Sequence, residues 1–401
     1  MITPDEALEL VVRAAAPLAA QRVALDDACG LVLAEDILAD RDYPPFPRSM
    51  MDGFAVRLAD AGTTVPVVGE VPAGSVWEGQ VVAGQCVEIL TGAPCPRGAE
   101  AVVPKEHVAR RENFVDLPNP IKPGQNIAPQ GSDCRRAERV LAAGQVVTSM
   151  AIAAIASFGR ASIQARPRPT LGVITTGEEL AGPGGPLRPG QIRNSNGPML
   201  AAMARDQGLS APRHWHVADR LEATVQALEE AANTNIVVLS GGVSVGTYDF
   251  VPQALARIGA ETVFHGVKQK PARPILLARQ GPRLFFGLPG NPLSCHFGFH
   301  RYVAPAIRKM SGLAAARRVF QGELALAIES KGGRVRYVPG RAEVSQRSAG
   351  GWRVEVLPEA SSADIFQGCR ANCYVELPAV AHVYRAGEAI GFTWLGREPW
   401  W

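Results

Sequence analysis

The sequence has few of the features that mark disulfide-rich, membrane-spanning or secreted proteins. Its seven cysteines in 401 residues are odd in number and scattered, and no two form a C-x-x-C pair. A disulfide framework and a structural zinc site are therefore not expected, and a reducing, cytoplasmic location is predicted. The longest apolar stretch, VVTSMAIAAIASFG, is too short to cross a bilayer, and the opening residues MITPDEALEL lack the apolar core of a signal peptide.

Strong charge of one sign and the common nucleotide-binding motifs are also missing. The 41 Lys and Arg residues nearly balance the 38 Asp and Glu residues, which leaves a net charge of +3. This balance argues against a nucleic-acid binder held by bulk electrostatics, although it is compatible with a local basic pocket. The sequence contains no P-loop Gly-Lys-Ser/Thr and no G-x-G-x-x-G, so neither of these phosphate-binding loops is predicted.

The chain is too long for one ordinary hydrophobic core, so several domains are expected. Short β-prone runs between Pro- and Gly-rich turns fill most of the first third, between two helical patterns, and similar runs return at the end. Thr3 and Glu6, with Pro4 between them, have the spacing of a capping box at a helix start. We predict a discontinuous platform domain (1–40 and 137–166), a β-rich inserted domain (41–136), an α/β domain (167–311) and a small β-barrel-like domain (312–401).

Strand and helix patterns alternate from Thr170 onward. Strands such as TLGVITT, NIVVL and RLFFGL alternate with helical runs such as GPMLAAMARDQG and RLEATVQALEEAAN. This order predicts a doubly wound, mostly parallel sheet with helices on both faces.

Unusual residues collect where the predicted strands end, which is where open α/β sheets bind ligands. The loops TTGEEL, SGGVSVGTYD and GLPGNP are rich in glycine, and the segment KQKPAR is basic. Glycine lets backbone N–H groups approach a ligand closely, and the cationic side chains add positive charge, so an anion site for phosphate is predicted. Its candidate residues are Ser240, Gly241, Gly242, Ser244, Gly246, Lys268, Lys270, Arg273, Pro289, Gly290, Asn291 and Pro292. For each loop alone, a tight structural turn is the alternative.

Carboxylates in loops form a second group of candidates. Asp52, Asp133, Glu179, Asp219 and Asp249 each lie in a loop or glycine-rich context, and Mg²⁺ prefers such oxygen ligands. We predict Asp249, Asp219 and Glu179 as the metal ligands. The alternatives are a helix-capping role for Asp249 and a turn role for Asp52.

Other motifs have weaker interpretations. Gly242 to Gly246 matches G-x-S-x-G, so Ser244 is a candidate nucleophile, but the Asp/Glu and His that would follow have no recognisable setting. His296 and His300 could share one helix face, and the alternating HWH at 214–216 is interpreted as packing along a strand.

Taken together, the loops resemble those of the molybdopterin molybdenumtransferase family, which comprises the MoeA-type enzymes and the related C-terminal domain of gephyrin. The resemblance extends over nearly the whole chain, in family order. Its motifs here are PPFPRSMMDGFAV, ILTGAPCPRGAEAVVPKE, APQGSD, VITTGEEL, RNSNGPML, LSGGVSVGTYDF, KPARP, FFGLPGNPLS, GRAEV and RANCYVELP.

The resemblance implies the last step of molybdenum cofactor synthesis, in which adenylylated molybdopterin is hydrolysed, molybdate is inserted at the dithiolene, and AMP is released. It implies a four-domain homodimer, with the molybdopterin adenylyltransferase and the machinery of target molybdoenzymes as possible partners and neither nucleic acid nor membrane. Position by position, it implies activity roles for Asp52, Thr91, Asp133, Glu179 and Asp249. Arg341, and Ser361 or Ser362, match motif residues of the terminal domain.

Two departures from the family pattern concern ligand geometry. The usual K-P-G-K-P is KPARP here, with Ala272 and Arg273 in place of glycine and lysine. Arginine keeps the charge but replaces a point donor with a planar fork. MMDGF replaces the commoner AMDGY, so Phe54 lacks a phenol hydroxyl.

Two further hypotheses come from other classes. Because the gephyrin domain also clusters receptors, this chain could be a partner-binding scaffold without turnover, although the retained acidic and glycine motifs favour a catalyst. An unrelated hydrolase that uses Ser244 is the third.

Overall fold

The structure is a computed structural model that describes residues 1–243, 249–315, 318–346, 348, 351–358 and 361–396. Its α-helices are α1 (Pro4–Ala14), α2 (Ser149–Ser157), α3 (Asn196–Asp206), α4 (Leu221–Glu230), α5 (Val251–Arg257), α6 (Pro292–Gly298), α7 (Ala304–Met310) and α8 (Ile365–Gly368). A π-helical turn (Phe299–Val303) joins α6 to α7, and short 3₁₀ helices cover Leu25–Asp27, Leu58–Asp60 and Lys105–His107. None of the helices in these ranges has the length and apolar character needed to span a bilayer.

The chain divides into two compact units. One comprises Met1–Arg22, Gly30–Val32 and Gln164–Trp401, and the other comprises Val23–Cys29 and Leu33–Ile163. We call them the larger and the smaller unit.

The smaller unit is rich in short strands, as the Pro- and Gly-punctuated sequence predicts. Its largest sheet has the order β8-β5-β7-β6-β10-β9, and β4 pairs with β11 and β3 with β12. Phe54, Val103 and Val115 lie in one of its apolar cores. The strands of this region are β1 (Gln21–Ala24), β2 (Val32–Leu33), β3 (Ile37–Leu38), β4 (Arg48–Ser49), β5 (Gly53–Val56), β6 (Thr64–Val71), β7 (Cys86–Ile89), β8 (Ala101–Pro104), β9 (Ala109–Arg111), β10 (Phe114–Asp116), β11 (Ile127–Ala128), β12 (Arg139–Leu141) and β13 (Ser162–Arg166). The boundaries between the two units fall within β1, β2 and β13.

The larger unit contains the predicted doubly wound sheet. Its strands and the short strands beside them are β14 (Leu171–Thr176), β15 (Leu180–Ala181), β16 (Ile192–Arg193), β17 (Arg213–Val217), β18 (Ile236–Ser240), β19 (Glu261–His265), β20 (Gln269–Lys270), β21 (Leu276–Gln280) and β22 (Arg283–Leu288). The sheet order is β17-β14-β18-β22-β21-β19. Strands β17, β14, β18 and β22 run parallel, and β21 pairs antiparallel with both of its neighbours. The mostly parallel prediction is therefore confirmed.

Helices cover both faces of this sheet, because its central strands are apolar on both sides. Val173, Val238 and Phe286 face a core shared with α1, α3, α6 and α7. Ile174 and Val237 face a core shared with α4 and α5.

Helix α1 begins with the predicted capping box. The Thr3 hydroxyl accepts a hydrogen bond from the Glu6 backbone, and the Glu6 side chain accepts one from the Thr3 backbone. Ala7 and Val11 on this helix belong to the same core as Val173 of β14. The helix thus packs on the α/β sheet. The four domain limits stay predictions.

The last part of the chain forms a small closed barrel. Its strands are β23 (Val319–Leu324), β24 (Ile328–Lys331), β25 (Val335–Val344), β26 (Trp352–Val356), β27 (Cys373–Leu377), β28 (Ala381–Tyr384) and β29 (Ala389–Trp394). The order is β25-β26-β23-β29-β27, and β27 pairs back onto β25 to close it. Strand β20, from the loop between β19 and β21, pairs in parallel with the first two residues of β25.

The barrel packs against the helical segment that follows β22. Nδ1 of His296 lies 2.9 Å from the Tyr374 hydroxyl, and Nε2 of His300 lies 3.3 Å from Oγ1 of Thr393. The ring of Phe297 meets that of Tyr374 edge-on, with centroids 5.1 Å apart. The two histidines of HFGFH therefore hold the barrel in place.

Candidate functional site

The crevice of the doubly wound sheet opens between β14 and β18. After β14 the chain places its next strand, β17, on one side, and it then places β18 on the other side. Such a reversal leaves a gap at the carboxyl ends of the two strands, and open α/β sheets bind their ligands there. The loops that leave these ends carry Thr176–Gly177 and Gly241–Gly242. The same edge receives Leu288–Gly290 from the neighbouring parallel strand β22.

The predicted glycines come together at this edge. Gly241 has a φ of +98°, and a Cβ at this position would lie 2.7 Å from Oγ1 of Thr176. Its backbone N–H donates to the Leu288 carbonyl over 3.1 Å, and a Cβ on Gly290 would lie 3.8 Å from its Cα. A larger residue at 241 would meet both a steric clash and a strained backbone. Glycine here keeps the loops close and the crevice open.

Asn196, the first residue of α3, joins two of these loops. Its Nδ2 group donates to Oγ of Ser240 and to the carbonyl of Gly290, each over 2.8 Å. The side chain is buried, and Cys295 donates weakly to the same Ser240 hydroxyl. Sequence reasoning predicted Ser240 and Gly290 but missed Asn196. The signal available was its place in RNSNGPML, immediately before a helical pattern.

Two buried polar atoms at the crevice lack partners among the described residues. These are Oδ1 of Asn196 and Oγ1 of Thr176. Asn196 is 8% exposed and Thr176 is 6% exposed. Buried polar groups are normally hydrogen-bonded, because an unpaired one costs about 1–3 kcal/mol. Atoms of this kind beside glycine loops are suited to binding a polar ligand.

A second polar group surrounds the hydroxyl of Thr175. Asn194 donates to this oxygen over 2.8 Å, Nε2 of His214 lies 2.9 Å from it, and Nδ1 of His216 lies 3.5 Å from it. A Cβ on Gly197 would lie 2.5 Å from the His214 ring, so glycine is needed there. Desolvation of the ring, with His216 beside it, lowers the pKa of His214. The packing interpretation of HWH therefore missed a hydrogen-bonded network.

The predicted metal ligands lie at the same edge but do not form a closed site. Glu179 is exposed and its carboxylate folds over Gly177, where a Cβ would lie 2.7 Å from Oε2. Asp219 follows β17, and Asp249 stands two residues before α5; both are partly buried. No three His, Cys, Asp or Glu side chains within the described ranges converge on one metal position. Mg²⁺ commonly uses only one or two carboxylates together with substrate phosphates, so these donors suit an ion that arrives with a substrate.

The basic segment is built partly into the barrel. Lys268 and Arg273 are exposed, whereas Lys270 belongs to β20. The backbone N–H of Lys268 donates to the Ile2 carbonyl, and the Arg273 carbonyl accepts from Val267. The segment begins at the carboxyl end of β19, which runs in the same direction as β22. It thus lies at the edge of the sheet that carries the glycine loops.

Ala272, a departure from the family pattern, occupies a position that favours glycine. Its φ is +58°, and its methyl group is buried with Phe297, Tyr337 and Tyr374. The left-handed conformation costs a residue with a Cβ about 1–2 kcal/mol. The apolar contacts of the methyl group offset part of that strain.

The remaining predicted residues of the larger unit have other partners. Asn291 donates to Oγ of Ser362 over 2.8 Å, and the carbonyl of Ser362 accepts from the backbone of Leu293. Arg341 lies on β25 and forms an exposed ion pair with Glu343, with 2.8 Å between Nε and Oε1. Pro289 follows β22, and Pro292 begins α6. Ser244 and Gly246 lie outside the described residues, and α5 begins at Val251.

The smaller unit brings two predicted residues into direct contact. Oδ1 of Asp52 accepts from the backbone N–H of Thr91 over 2.8 Å and from its hydroxyl over 2.7 Å. Lys105, which sequence reasoning did not select, lies 3.4 Å from Oδ2. The Thr91 backbone and hydroxyl donors, followed by Lys105, lower the pKa of Asp52. Its carboxylate is therefore ionised at neutral pH and oriented by three donors.

Asp133 belongs to a separate pair in the same unit. Its carboxylate lies 3.4 Å from the Arg48 guanidinium and accepts from the Ser132 hydroxyl over 3.0 Å. Both charged side chains are exposed, so the ion pair itself adds little stability. Arg48 comes from PPFPRSMMDGFAV, the motif that also contains Asp52.

Comparisons with known proteins match nearly the whole chain. Three family descriptions match in succession: "MoeA N-terminal region (domain I and II)" over residues 2–159, "Probable molybdopterin binding domain" over 172–309, and "MoeA C-terminal region (domain IV)" over 321–395. A molybdopterin molybdenumtransferase of Staphylococcus aureus (strain Mu50) is 34% identical and covers 97% of this chain and 94% of its own length. One from Staphylococcus epidermidis is 32% identical over the same shares. A molybdopterin biosynthesis moeA protein from Pyrococcus horikoshii OT3 has a TM-score of 0.78 and 28% identity, over 98% of this chain and all of its own.

Proposed function

Because this chain belongs to the molybdopterin molybdenumtransferase family and is a transferase of molybdenum cofactor biosynthesis, we propose that it inserts molybdate into adenylylated molybdopterin and releases AMP. The relatives carry the transferase name, whereas the adenylylated substrate and the release of AMP belong to the proposal.

The observation that carries the proposal is the crevice between β14 and β18. Gly241, Gly242 and Gly290 leave room for a ligand to approach the loop backbone, and Asn196 Oδ1 offers a buried acceptor for a donor group elsewhere on the same ligand. Such a site suits the phosphate-bearing part of a polar ligand, with N–H donors for its oxygens. We assign the pyrophosphate of adenylylated molybdopterin to this crevice.

Lys268, Lys270 and Arg273 bind the anionic substrates electrostatically in this proposal. They lie on the segment between β19 and β21, at the edge of the sheet where the glycine loops end. Molybdate and the pyrophosphate are both anions, and charge-assisted hydrogen bonds to them are stronger than neutral ones. Proton transfer is not assigned to these side chains.

The carboxylates Glu179, Asp219 and Asp249 hold a divalent cation, Mg²⁺, together with substrate oxygens. A bound Mg²⁺ would neutralise charge on the pyrophosphate as its phosphoanhydride bond breaks. Asp249 is assigned to the cation at the pyrophosphate, and Glu179 to the neighbourhood of the oxyanion. The exposed position of Glu179 on a loop is consistent with a role in binding rather than in packing.

Asp52, Thr91 and Asp133 of the smaller unit also act in turnover. The ionised Asp52 carboxylate, fixed by Thr91 and Lys105, is prepared to orient a water or a substrate donor. We propose that the protein is a cytoplasmic homodimer and that Asp52 serves the reaction on the α/β domain of the other subunit. Adenylylated molybdopterin then comes from an adenylyltransferase, and the product passes to target molybdoenzymes.

The decisive experiment measures AMP release from adenylylated molybdopterin with and without molybdate. Molybdate-dependent release supports the proposal. Binding of the substrate without release, in the presence of molybdate and Mg²⁺, would instead favour the scaffold hypothesis. The Asp249→Asn variant, in which an NH₂ group replaces one carboxylate oxygen, is the matched control. AMP release that persists in this variant would come from contaminating hydrolases.

A further inference from the structure

Outside the glycine crevice, the edge strand β17 presents two histidines to the same side. His214 and His216 are two residues apart, so their side chains leave the strand on one face. Trp215 between them points the other way, and its Nε1 donates to Glu230 over 2.8 Å. Both imidazoles approach a single atom, Oγ1 of Thr175. The proposed transfer reaction gives these rings no role.

The two rings line a cavity of about 350 Å³. Its other walls come from the loop after β15, from Asn194 and from α3, and the cavity is open to solvent. None of the described residues in its lining carries a carboxylate or a permanent charge; they are Ala181, Gly182, Pro183, Asn194, Pro198, His214 and His216. This chemistry does not suit Mg²⁺, which requires hard oxygen ligands.

The distances between these atoms are close to those between two ligands of one metal ion. Two ligands bonded at about 2.1 Å, at angles of about 90–110°, lie about 3.0–3.4 Å apart. Thr175 Oγ1 lies 2.9 Å from Nε2 of His214 and 3.5 Å from Nδ1 of His216. Small movements of the rings would place both nitrogens on one ion, with the hydroxyl beside it.

We propose that His214 and His216 bind a divalent transition-metal ion of the Zn²⁺ class in this cavity. Water or a small anion fills the remaining coordination positions, because only two imidazoles are supplied. Neutral imidazole is the ligating form of histidine. The proposal is independent of the transfer reaction, since it concerns binding alone.

The test is metal binding by the untagged, full-length protein. Cys29 and Cys369 are exposed thiols that would compete for metal, so the background is the C29S/C369S variant. Calorimetry with Zn²⁺ should give one site per chain, and H214A and H216A should each weaken it about tenfold or more. His382, an exposed histidine paired with Glu388, provides the matched control H382A, which should keep the site.

A spectroscopic readout distinguishes this site from scattered surface binding. With one equivalent of Cu²⁺, the electron paramagnetic resonance spectrum should show coupling to two imidazole nitrogens, reduced to one in H216A. Circular dichroism checks that each variant is folded, and the exposed His216 gives a usable variant if H214A does not fold. Unchanged affinity in H216A, or a spectrum without imidazole coupling, overturns the proposal.

Discussion

Replacing Asn196 by alanine should weaken the contact between the two loops that form the crevice. The side-chain amide donates to Oγ of Ser240 and to the carbonyl of Gly290, and so it connects the loops after β18 and β22. Alanine has no donor, so the Ser240 hydroxyl and the Gly290 carbonyl would each lose this hydrogen bond. The substitution also removes Oδ1, the acceptor that we assign to the substrate.

The expected magnitude follows from these two hydrogen bonds. Each contributes about 0.5–1.5 kcal/mol net. We expect a total of about 1–3 kcal/mol against the ordered loop arrangement. Since about 1.4 kcal/mol is a factor of ten, this corresponds to a roughly 5- to 150-fold shift in that local equilibrium. Substrate affinity falls by up to this factor, because only the ordered fraction binds.

The assay compares Asn196→Ala with a control at the opposite edge of the sheet. Asn235 precedes β18, and its Oδ1 accepts from the Thr170 backbone over 2.9 Å. Asn235→Ala should lower the unfolding temperature, as Asn196→Ala does, but should leave AMP affinity measured by calorimetry unchanged. If Asn196→Ala binds AMP and adenylylated molybdopterin as tightly as wild type, or if both variants lose affinity equally, the positioning role of Asn196 is refuted.

Four further predictions concern the remaining assigned residues. Asp249→Asn should keep its unfolding temperature while molybdate-dependent AMP release falls sharply, and full activity would contradict its assignment. A dimer that mixes Asp52→Ala and Asp249→Asn subunits should regain part of the activity that each parent lacks; a mixture as inactive as the parents would argue against shared sites. Arg273→Ala should weaken AMP binding about ten- to a hundredfold at low salt, with a smaller deficit as ionic strength rises, whereas equal affinity at low salt would leave Arg273 a solvated edge charge. Ala272→Val should destabilise the protein strongly in thermal unfolding, because a β-branched residue tolerates a φ of +58° poorly, and an unchanged unfolding temperature would contradict the strain argument.

The sheet and its glycine loops could be predicted because they follow from rules about strand order. Alternating strand and helix patterns require crossovers, crossovers make neighbouring strands parallel, and parallel strands end at one edge. That reasoning places Gly241 and Gly290 together without coordinates, and the structure confirms it. It also predicts the cores on both faces of β14, a strand that is buried throughout.

The contacts that the sequence did not reveal depend on how one element lies across another. Asn196 donates to Ser240 only because α3 begins beside the carboxyl end of β18. The histidines of β17 alternate as packing residues would, and their role depends on Thr175 of the neighbouring strand. An alanine in the sequence does not indicate a positive φ, so the conformation of Ala272 could not be predicted from its residue type. The glycine that the family usually has at this position was the available signal.

Strand β20 connects the barrel to the edge of the α/β sheet that carries the glycine loops. Gln269 and Lys270 are part of the loop between β19 and β21, yet they pair with Val335 and Arg336 of β25. Buried Gln269 also accepts from the Tyr302 hydroxyl of the helical segment, over 2.5 Å. A rotation of the barrel would therefore pull on the backbone of Lys270 and change the distance between its charge and the glycine loops. A movement of the terminal barrel would thus be transmitted to the segment to which we assign anion binding.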